Sequence, residues 1–421
     1  MKRNFYAVFL FTITLISLNT QAQTNKCKTD EIYKKRAINN PSLQQQRDLN
    51  EIALQNWINE NADAPKTRNI ITIPVVVHVI YKTANQNVSD AQIHSQIAAL
   101  NEDFRLFNAD SLDDTHPFWT FTADAQIEFC LASVDPNGNA TTGITRTLTT
   151  ISAFTGEDGA EKYTSTGGHD NWNPSKYLNI WVCDLSAGAG LLGYATFPSD
   201  LATYPDDDGV VINYTAFGTM GTATNPNNNG RTGTHEIGHW LNLSHIWGDQ
   251  ACGDDLVADT EIAYESNFGC PGFPYNPNSS CGSGPNGEMY MNYMDYVDDA
   301  CMVMFTAGQA TRMRAALNGP RAGLLTSTAC QSTSLTENNL TSSFSMYPNP
   351  GANEITLNLN NFSKEAITCS IYSILGEEIK TVSNIKTSTF TIPVNELPNG
   401  TYFVKIMQGT SSSMQKLFIA K

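Results

Sequence analysis

Near the middle of the chain, three histidines have the spacing to hold a catalytic metal, and a glutamate stands beside the first of them. In Gly233-Thr234-His235-Glu236-Ile237-Gly238-His239, the two histidines stand four positions apart. On a helix that separation puts both imidazoles on one face, where they can share one zinc ion. Glu236 sits beside the first of them, so its carboxylate can reach an activated water without taking a coordination position. A third imidazole has to come from beyond the helix, and His245 lies six residues past His239. To bring it back, the helix must stop and the chain reverse near Asn242, a residue type that tolerates the left-handed backbone. Three histidines leave a fourth zinc position open for water, the catalytic rather than the structural arrangement. The chemistry predicted is metal-assisted peptide hydrolysis. Glu236 takes a proton from the activated water as general base and passes it to the leaving amine.

The elements that must position these residues show in the apolar pattern. Residues 71–81 (ITIPVVVHVIY) form a β-branched run, the mark of a buried strand. Ser89 opens a helix with Gln92 as its capping-box partner, and Ile93, Ile97, Leu100 and Phe104 keep helical spacing. Residues 126–134 and 177–184 read as strands, and 191–197 and 209–214 as shorter, partly exposed ones. A helix starts near Arg231, and Thr306 with Gln309 caps another that carries Met313, Ala316 and Leu317 on one face. Strand, helix and further strands predict an α/β (α+β) domain with a twisted mixed sheet. Residues 344–421 change character. Short alternating runs split by turns such as Pro348-Asn349-Pro350-Gly351 predict a separate all-β, immunoglobulin-like sandwich.

Before the catalytic segment, Lys2 and Arg3 precede an uncharged apolar run, and Thr20 and Ala22 are the small residues of a cleavage site. The domain order expected is a signal peptide at 1–22, a polar helix-prone pro-segment at 23–68, the catalytic domain at 69–330, a linker at 331–343 and the tail at 344–421. The apolar run is too short to favour a stable membrane span. Lys and Arg number 25 against 41 Asp and Glu, a formal charge of −16, so the chain lacks the basic balance that nucleic-acid binding requires.

The nine cysteines suit a chain that leaves the cytoplasm, and the odd count leaves at least one unpaired. Cys252, Cys270, Cys281 and Cys301 fall in one loop-rich region and allow three connectivities. Cys130 and Cys183, both in predicted strands, either pair or stay as buried thiols. His78, in the first strand, is expected to be a satisfied core group. Asp254, Asp255, Asp259, Thr260 and Glu261 form an oxygen-rich cluster of the kind that suits calcium, although their spacing matches no EF-hand.

The pattern His-Glu-x-x-His-x-x-Asn-x-x-His resembles the extended zinc signature of the metzincin proteases, with Asn242 where most carry Gly. Met291-Asn292-Tyr293-Met294-Asp295-Tyr296 resembles their Met-turn. Ile73-Pro74-Val75-Val76-Val77-His78, Tyr177-Leu178-Asn179-Ile180-Trp181-Val182, Gly190-Leu191-Leu192-Gly193-Tyr194-Ala195 and His245-Ile246-Trp247-Gly248-Asp249 are similar to the pappalysin, or cytophagalysin, branch. The resemblance spans about 70–330. It implies that Met294 forms an apolar floor beneath the zinc and that Tyr296 donates a hydrogen bond to the tetrahedral intermediate. It implies that Leu191, Leu192, Gly193, Tyr194 and Ala195 are an exposed edge strand to which an extended peptide adds. It pairs Cys252 with Cys281 and Cys270 with Cys301, and it carries structural calcium. Asp298 and Asp299, just past the Met-turn, are candidates to line the pocket for the residue after the scissile bond. Cys27, in Lys26-Cys27-Lys28-Thr29, resembles the family's pro-segment switch, with Lys28 where Gly is usual. Its thiolate would occupy the open zinc position until cleavage near Lys66 or Arg68.

Ser345-Met346-Tyr347-Pro348-Asn349-Pro350, Ile374-Leu375-Gly376, Leu397-Pro398-Asn399-Gly400-Thr401-Tyr402 and the closing Lys416-Leu417-Phe418-Ile419-Ala420-Lys421 resemble the C-terminal sorting domain of type IX secretion. That implies the type IX secretion machinery as a partner and a location outside, or on the surface of, a Gram-negative cell. The function expected is therefore a secreted zinc endopeptidase, made as a zymogen, acting on proteins or peptides. The alternative is a cell-surface adhesin whose metalloprotease-like domain is inactive. Glu236 favours the enzyme, since a purely structural zinc site has no use for that carboxylate.

Overall fold

The eleven-residue strand β1 (Ile71–Tyr81) organises the larger of two units into which the chain divides, the boundary falling after Cys330. The computed structural model describes residues 26–61, 69–188, 190–277, 281–330, 344–359, 366–373, 378–408 and 411–421. The expected signal peptide and linker, Lys66, Arg68 and the Ile374-Leu375-Gly376 motif lie outside them.

Two helices of the expected pro-segment, α1 (Thr29–Asn39) and α2 (Ser42–Glu60), precede β1. Then come α3 (Asp90–Phe104), β2 (Ile127–Leu131), β3 (Ile144–Leu148), β4 (Leu178–Cys183), β5 (Gly193–Ala195), β6 (Val210–Asn213), α4 (Arg231–Trp240) and α5 (Ala307–Asn318). The sheet order is β2-β1-β4-β6-β5, all parallel except β5, which runs antiparallel to β6. β3 was not anticipated. β1 is long enough to take two strands in line, β2 against Ile71–Val75 and β3 against Val77–Tyr81. Helices cover one face, where Ile73, Val75, Val77 and Val79 meet Ile93, Leu100 and Phe104 of α3 and Ile237 of α4. Ile80, Trp181 and Val211 fill the other. Burial on both faces explains why β1 reads as one continuous apolar run.

Ser89 caps α3 by accepting from the Gln92 backbone amide at 3.2 Å. The Gln92 side chain does not close a capping box. It donates to Phe217 O at 2.8 Å and Thr222 Oγ1 at 2.9 Å, tying the loop before α4 to α3. The capping box of α5 is complete, with Thr306 and Gln309 reciprocating.

One buried ion pair fixes the C-terminal end of α4. Arg321 and Asp208, both inaccessible, pair through two bonds of 2.9 Å. Asp208 also accepts from Trp240 Nε1 at 3.0 Å, and the Arg321 guanidinium lies 3.9 Å from the Trp240 ring centroid. Arg321→Ala would strand the Asp208 charge in the interior. It is expected to cost about 3–5 kcal/mol, read as a lowered denaturation midpoint with the slope unchanged. A loss below about 1 kcal/mol, the level of an exposed pair, would contradict this.

The structure bridges Cys252 with Cys281, Cys270 with Cys301, and Cys130 with Cys330. Cys130 thus pairs with neither of its expected fates, while Cys183 is a buried free thiol, as are Cys27 and Cys369.

The smaller unit holds β7 (Phe344–Tyr347), β8 (Glu354–Leu359), β9 (Ile367–Ser373), β10 (Glu378–Ile385), β11 (Thr389–Pro393), β12 (Gly400–Gln408) and β13 (Ser411–Ile419). Antiparallel sheets β10-β9-β12-β13 and β11-β8-β7 share a core of Ile355, Leu357, Ile371, Val404, Ile406 and Leu417. This is the expected all-β sandwich.

Candidate active site

α4 carries His235 and His239 one turn apart, both buried. The helix ends at Trp240, and Leu243 N returns to Gly238 O at 2.9 Å while Asn242 takes φ +74°. That left-handed step swings His245 back beside the first two. His239 Nε2 lies 3.2 Å from His235 Nε2 and 3.1 Å from His245 Nε2. Each outer ring nitrogen has its own acceptor: Tyr293 O for His235 at 2.7 Å, Leu243 O for His239 at 2.8 Å, and Asp249 Oδ1 for His245. A carbonyl or carboxylate oxygen can only accept, so each Nδ1 carries the hydrogen and each Nε2 turns a lone pair to a shared point. Three lone pairs so close repel one another unless a cation lies between them. Burial, then the neighbouring His245, pushes the His235 pKa down to about 3, and burial, then His245 and His235, pulls that of His239 well down too. Oriented and convergent, the set fits a zinc ion. Cys27 Sγ completes it, the four donor atoms lying within 4.8 Å of one another.

Asp249 was not singled out as a site residue. It stands four positions after His245, the same spacing that signals the zinc pair, and Trp247 stacks on the His245 ring at 4.3 Å. Together they hold the third imidazole in place.

Glu236 faces the segment ahead of α1 and the first residue of that helix. Its Oε2 accepts from Thr29 Oγ1 at 3.1 Å and from Cys27 Sγ at 3.3 Å. Burial raises its carboxyl pKa to about 8, against the pull of those two bonds. Tyr296 stands beside the histidines, 5.0 Å from the His245 ring centroid, and donates to Cys27 O at 3.1 Å. Met294 packs beneath α4, so close that a Cβ at position 238 would lie 2.4 Å from its Sδ, and any larger residue than Gly238 would have to displace that side chain.

The predicted edge strand is covered. Leu192 N and Gly193 N donate to Lys26 O at 2.9 and 3.3 Å, Cys27 bridges Gly193 in parallel, and Ala195 N donates to Thr29 Oγ1 at 2.8 Å. Leu191 and Tyr194 point away into the layer behind the sheet, Tyr194 bonding buried Glu161. Gly193 abuts Glu236, since a Cβ there would be 3.0 Å from Glu236 Cγ. Beside Leu192 a cavity holding Lys26 is walled by Val297, Asp299 and Met302, and Lys26 Nζ lies 3.6 Å from Asp298. Asp299 itself is buried, accepting from Asn229 N and Arg231 N.

The acidic cluster does not converge. Asp254 accepts from Leu256 N, Asp259 from Thr306 Oγ1 and Gly308 N at the start of α5, and Glu261 from Gly284 N. Asp255 Oδ1 accepts from Val257 N and Thr260 Oγ1, and its buried Oδ2 has no partner. His78 is satisfied by Thr145 and Asn179, as expected.

Residues 162–318 match the peptidase family described as pregnancy-associated plasma protein-A, and residues 345–420 match the secretion system C-terminal sorting domain. An extracellular metalloprotease of Arthroderma benhamiae is 31% identical over 277 residues, which is 64% of this chain and 86% of that protein. One of Pyricularia oryzae is 30% identical over 273 residues, 62% and 81% of the two chains. Among solved structures, mature mirolysin of Tannerella forsythia in complex with a cleaved peptide is 50% identical, with TM-score 0.59, covering 62% of this chain and 97% of that one. A promirolysin mutant of the same organism is 44% identical, with TM-score 0.65, covering 71% and 97%. Shared sequence across nearly the whole of those enzymes, on a site of this geometry, places the chain in the pappalysin family of metzincin metalloendopeptidases, as a secreted or cell-surface zymogen carrying a type IX sorting domain.

Proposed function

We propose that the chain is a zinc endopeptidase in which His235, His239 and His245 hold the metal and Glu236 is the general base. The observation that carries this is the convergence of three Nε2 lone pairs with the Glu236 carboxylate beside them. Zinc bound there would supply the Lewis acid that lowers the pKa of a water ligand towards about 7 and polarises a carbonyl. Glu236, once Thr29 and Cys27 leave, has its Oε2 free to take a proton and deliver it to the leaving amine. Tyr296, whose hydroxyl now holds the Cys27 carbonyl, is then free to donate to the developing oxyanion. The amides of Leu192 and Gly193, which now hold Lys26 O, orient an extended substrate. The cavity by Val297 and Asp299 takes the residue after the scissile bond.

Residues 1–22 are the signal peptide, 23–68 the pro-segment, 69–330 the catalytic domain, 331–343 the linker and 344–421 the sorting domain of a protein exported from a Gram-negative cell. Cys27 is the switch: its thiol is held at the metal site by the pro-segment's grip on β5.

The test is a peptide-library digest by the full chain after limited proteolysis, with bound zinc measured. Cleavage that phenanthroline abolishes and added zinc restores is expected. Zinc without cleavage, with removal of the pro-segment confirmed, would shift the reading to the adhesin.

Calcium is proposed at Asp255 alone of the five acidic-loop candidates. Its partnerless buried oxygen suits a hard cation, whereas Asp259 and Glu261 are spent on backbone amides. A calcium-selective chelator is expected to lower the melting temperature, with calcium restoring it; an unchanged melting curve would remove calcium from the account.

A further inference from the structure

A second seat for a cation lies along the cleft from the metal centre, built by the catalytic domain and filled by the pro-segment. Arg36 of α1 pairs with Asp207 and, at 3.3 Å, with Asp200. Its guanidinium lies 4.7 Å from the Tyr204 ring centroid. Both carboxylates have contacts besides their guest: Asp200 Oδ1 accepts from Ser199 Oγ at 3.3 Å, and Asp207 is the more firmly held. Tyr163 OH donates to Asp207, Lys162 Nζ fixes the Asp207 carbonyl at 2.7 Å, and the next residue, Asp208, is locked to Arg321. Phe197, at the head of the same loop, packs against the zinc-helix residue His239 with centroids 5.6 Å apart. Removing the pro-segment takes the Arg36 guanidinium from between the two carboxylates and uncovers an aromatic face beside them; Lys162, bound to the Asp207 carbonyl, stays behind.

We infer that in the mature enzyme this seat, Asp200, Asp207 and Tyr204, is a substrate subsite for an arginine or lysine on the amino side of the scissile bond. The inference rests on the proposed proteolytic reading for its direction. Gly193 marks the position of Glu236 along the edge. Leu192, on one side, borders the cavity assigned to the residue after the scissile bond. The chain on the other side runs through Ala195 and Phe197 to Asp200, so the seat faces residues before the bond. The guest chemistry is on display: a guanidinium pinned by two carboxylates over a tyrosine ring. From Thr29, which meets Ala195, to Arg36 the helix advances about 10 Å. An extended substrate covers that span in about three residues. The seat therefore reads a side chain about three places upstream of the residue opposite Ala195.

The experiment uses the mature protein and peptides with one common cleavage site, in which arginine or its neutral isostere citrulline is moved along the upstream positions. Expected is a kcat/KM about tenfold higher for arginine at one register, carried by KM, the size of one charge-assisted pair. Asp200→Asn with Asp207→Asn should erase the arginine-over-citrulline ratio, and Tyr204→Leu should shrink it. Equal kcat/KM for the two peptides at every upstream position in the wild type would overturn the proposal. A second arm needs no turnover: peptides of residues 26–61 bearing arginine or citrulline at position 36 are bound to mature protein. A Kd about tenfold weaker for citrulline supports the seat, and equal Kd values refute it, whether or not any peptide is cut. Failure to cut any peptide, by contrast, counts against the proteolytic reading.

Discussion

Glu236→Ala is expected to lower kcat by about four orders of magnitude while leaving KM and zinc content close to wild type. The size follows from the two proton transfers asked of one carboxylate. The retained zinc follows from geometry: the Glu236 oxygen faces Thr29 and Cys27, and the histidine nitrogens converge without it. Folding should also survive, since no buried cation depends on this carboxylate in the zymogen. Its partners there are a hydroxyl and a thiol. Glu236→Gln, which keeps the shape and loses the basicity, should be as slow. A variant within tenfold of wild type would remove Glu236 as the base. Loss of zinc together with activity would mean that the carboxylate supports the metal site.

Cys27→Ala in the uncleaved precursor is the second large effect. Peptidase activity before activation is expected to rise about a hundredfold, equivalent to roughly 2.7 kcal/mol of lost occlusion. The release should be incomplete, because the thiol is one contact of several. Lys26 O still occupies the Leu192 and Gly193 amides, Thr29 still covers Glu236, and Tyr296 still holds the backbone at position 27. Further out, Arg36 sits in the Asp200–Asp207 seat and Glu51 of α2 pairs with Arg312 of α5. Adding Arg36→Ala should therefore raise the leak again. The measurement is the initial rate of peptide cleavage by purified precursor, with gel electrophoresis confirming an intact pro-segment. A Cys27→Ala precursor as latent as wild type would show that occlusion of the edge strand suffices and that the thiol is dispensable.

What was legible in the chain depended on the range of the interactions. The i, i+4 spacing of His235 and His239 is a local property of a helix, and so is the need for a left-handed residue at Asn242, seen at φ +74°. The covered β1 showed as a continuous run because both its faces are buried. β3 escaped because its side chains are half exposed and its partner is 67 residues away, Val77 against Ile144. Gln92 looked like a capping residue because its position fits one; that its amide reaches Phe217 instead is decided by a loop 125 residues on. The acidic run 254–261 looked like a calcium site by composition, yet one oxygen of each of its four carboxylates is taken by a backbone amide that composition does not reveal.

By itself the sequence determined the identity and order of the chemical groups: three imidazoles, the carboxylate beside the first, a cysteine ahead of the catalytic segment and an all-β tail. Residue type and short spacing carry that information, since a helix turn or a pleat converts them directly into a shared face. Only the tertiary structure decided which distant groups meet. It joined Cys130 to Cys330 across 200 residues, set Asp208 against Arg321 and laid Arg36 between Asp200 and Asp207. Those pairings follow from how the sheet, the zinc helix and the pro-segment pack, and burial of the whole core sets that packing rather than any local run of residues.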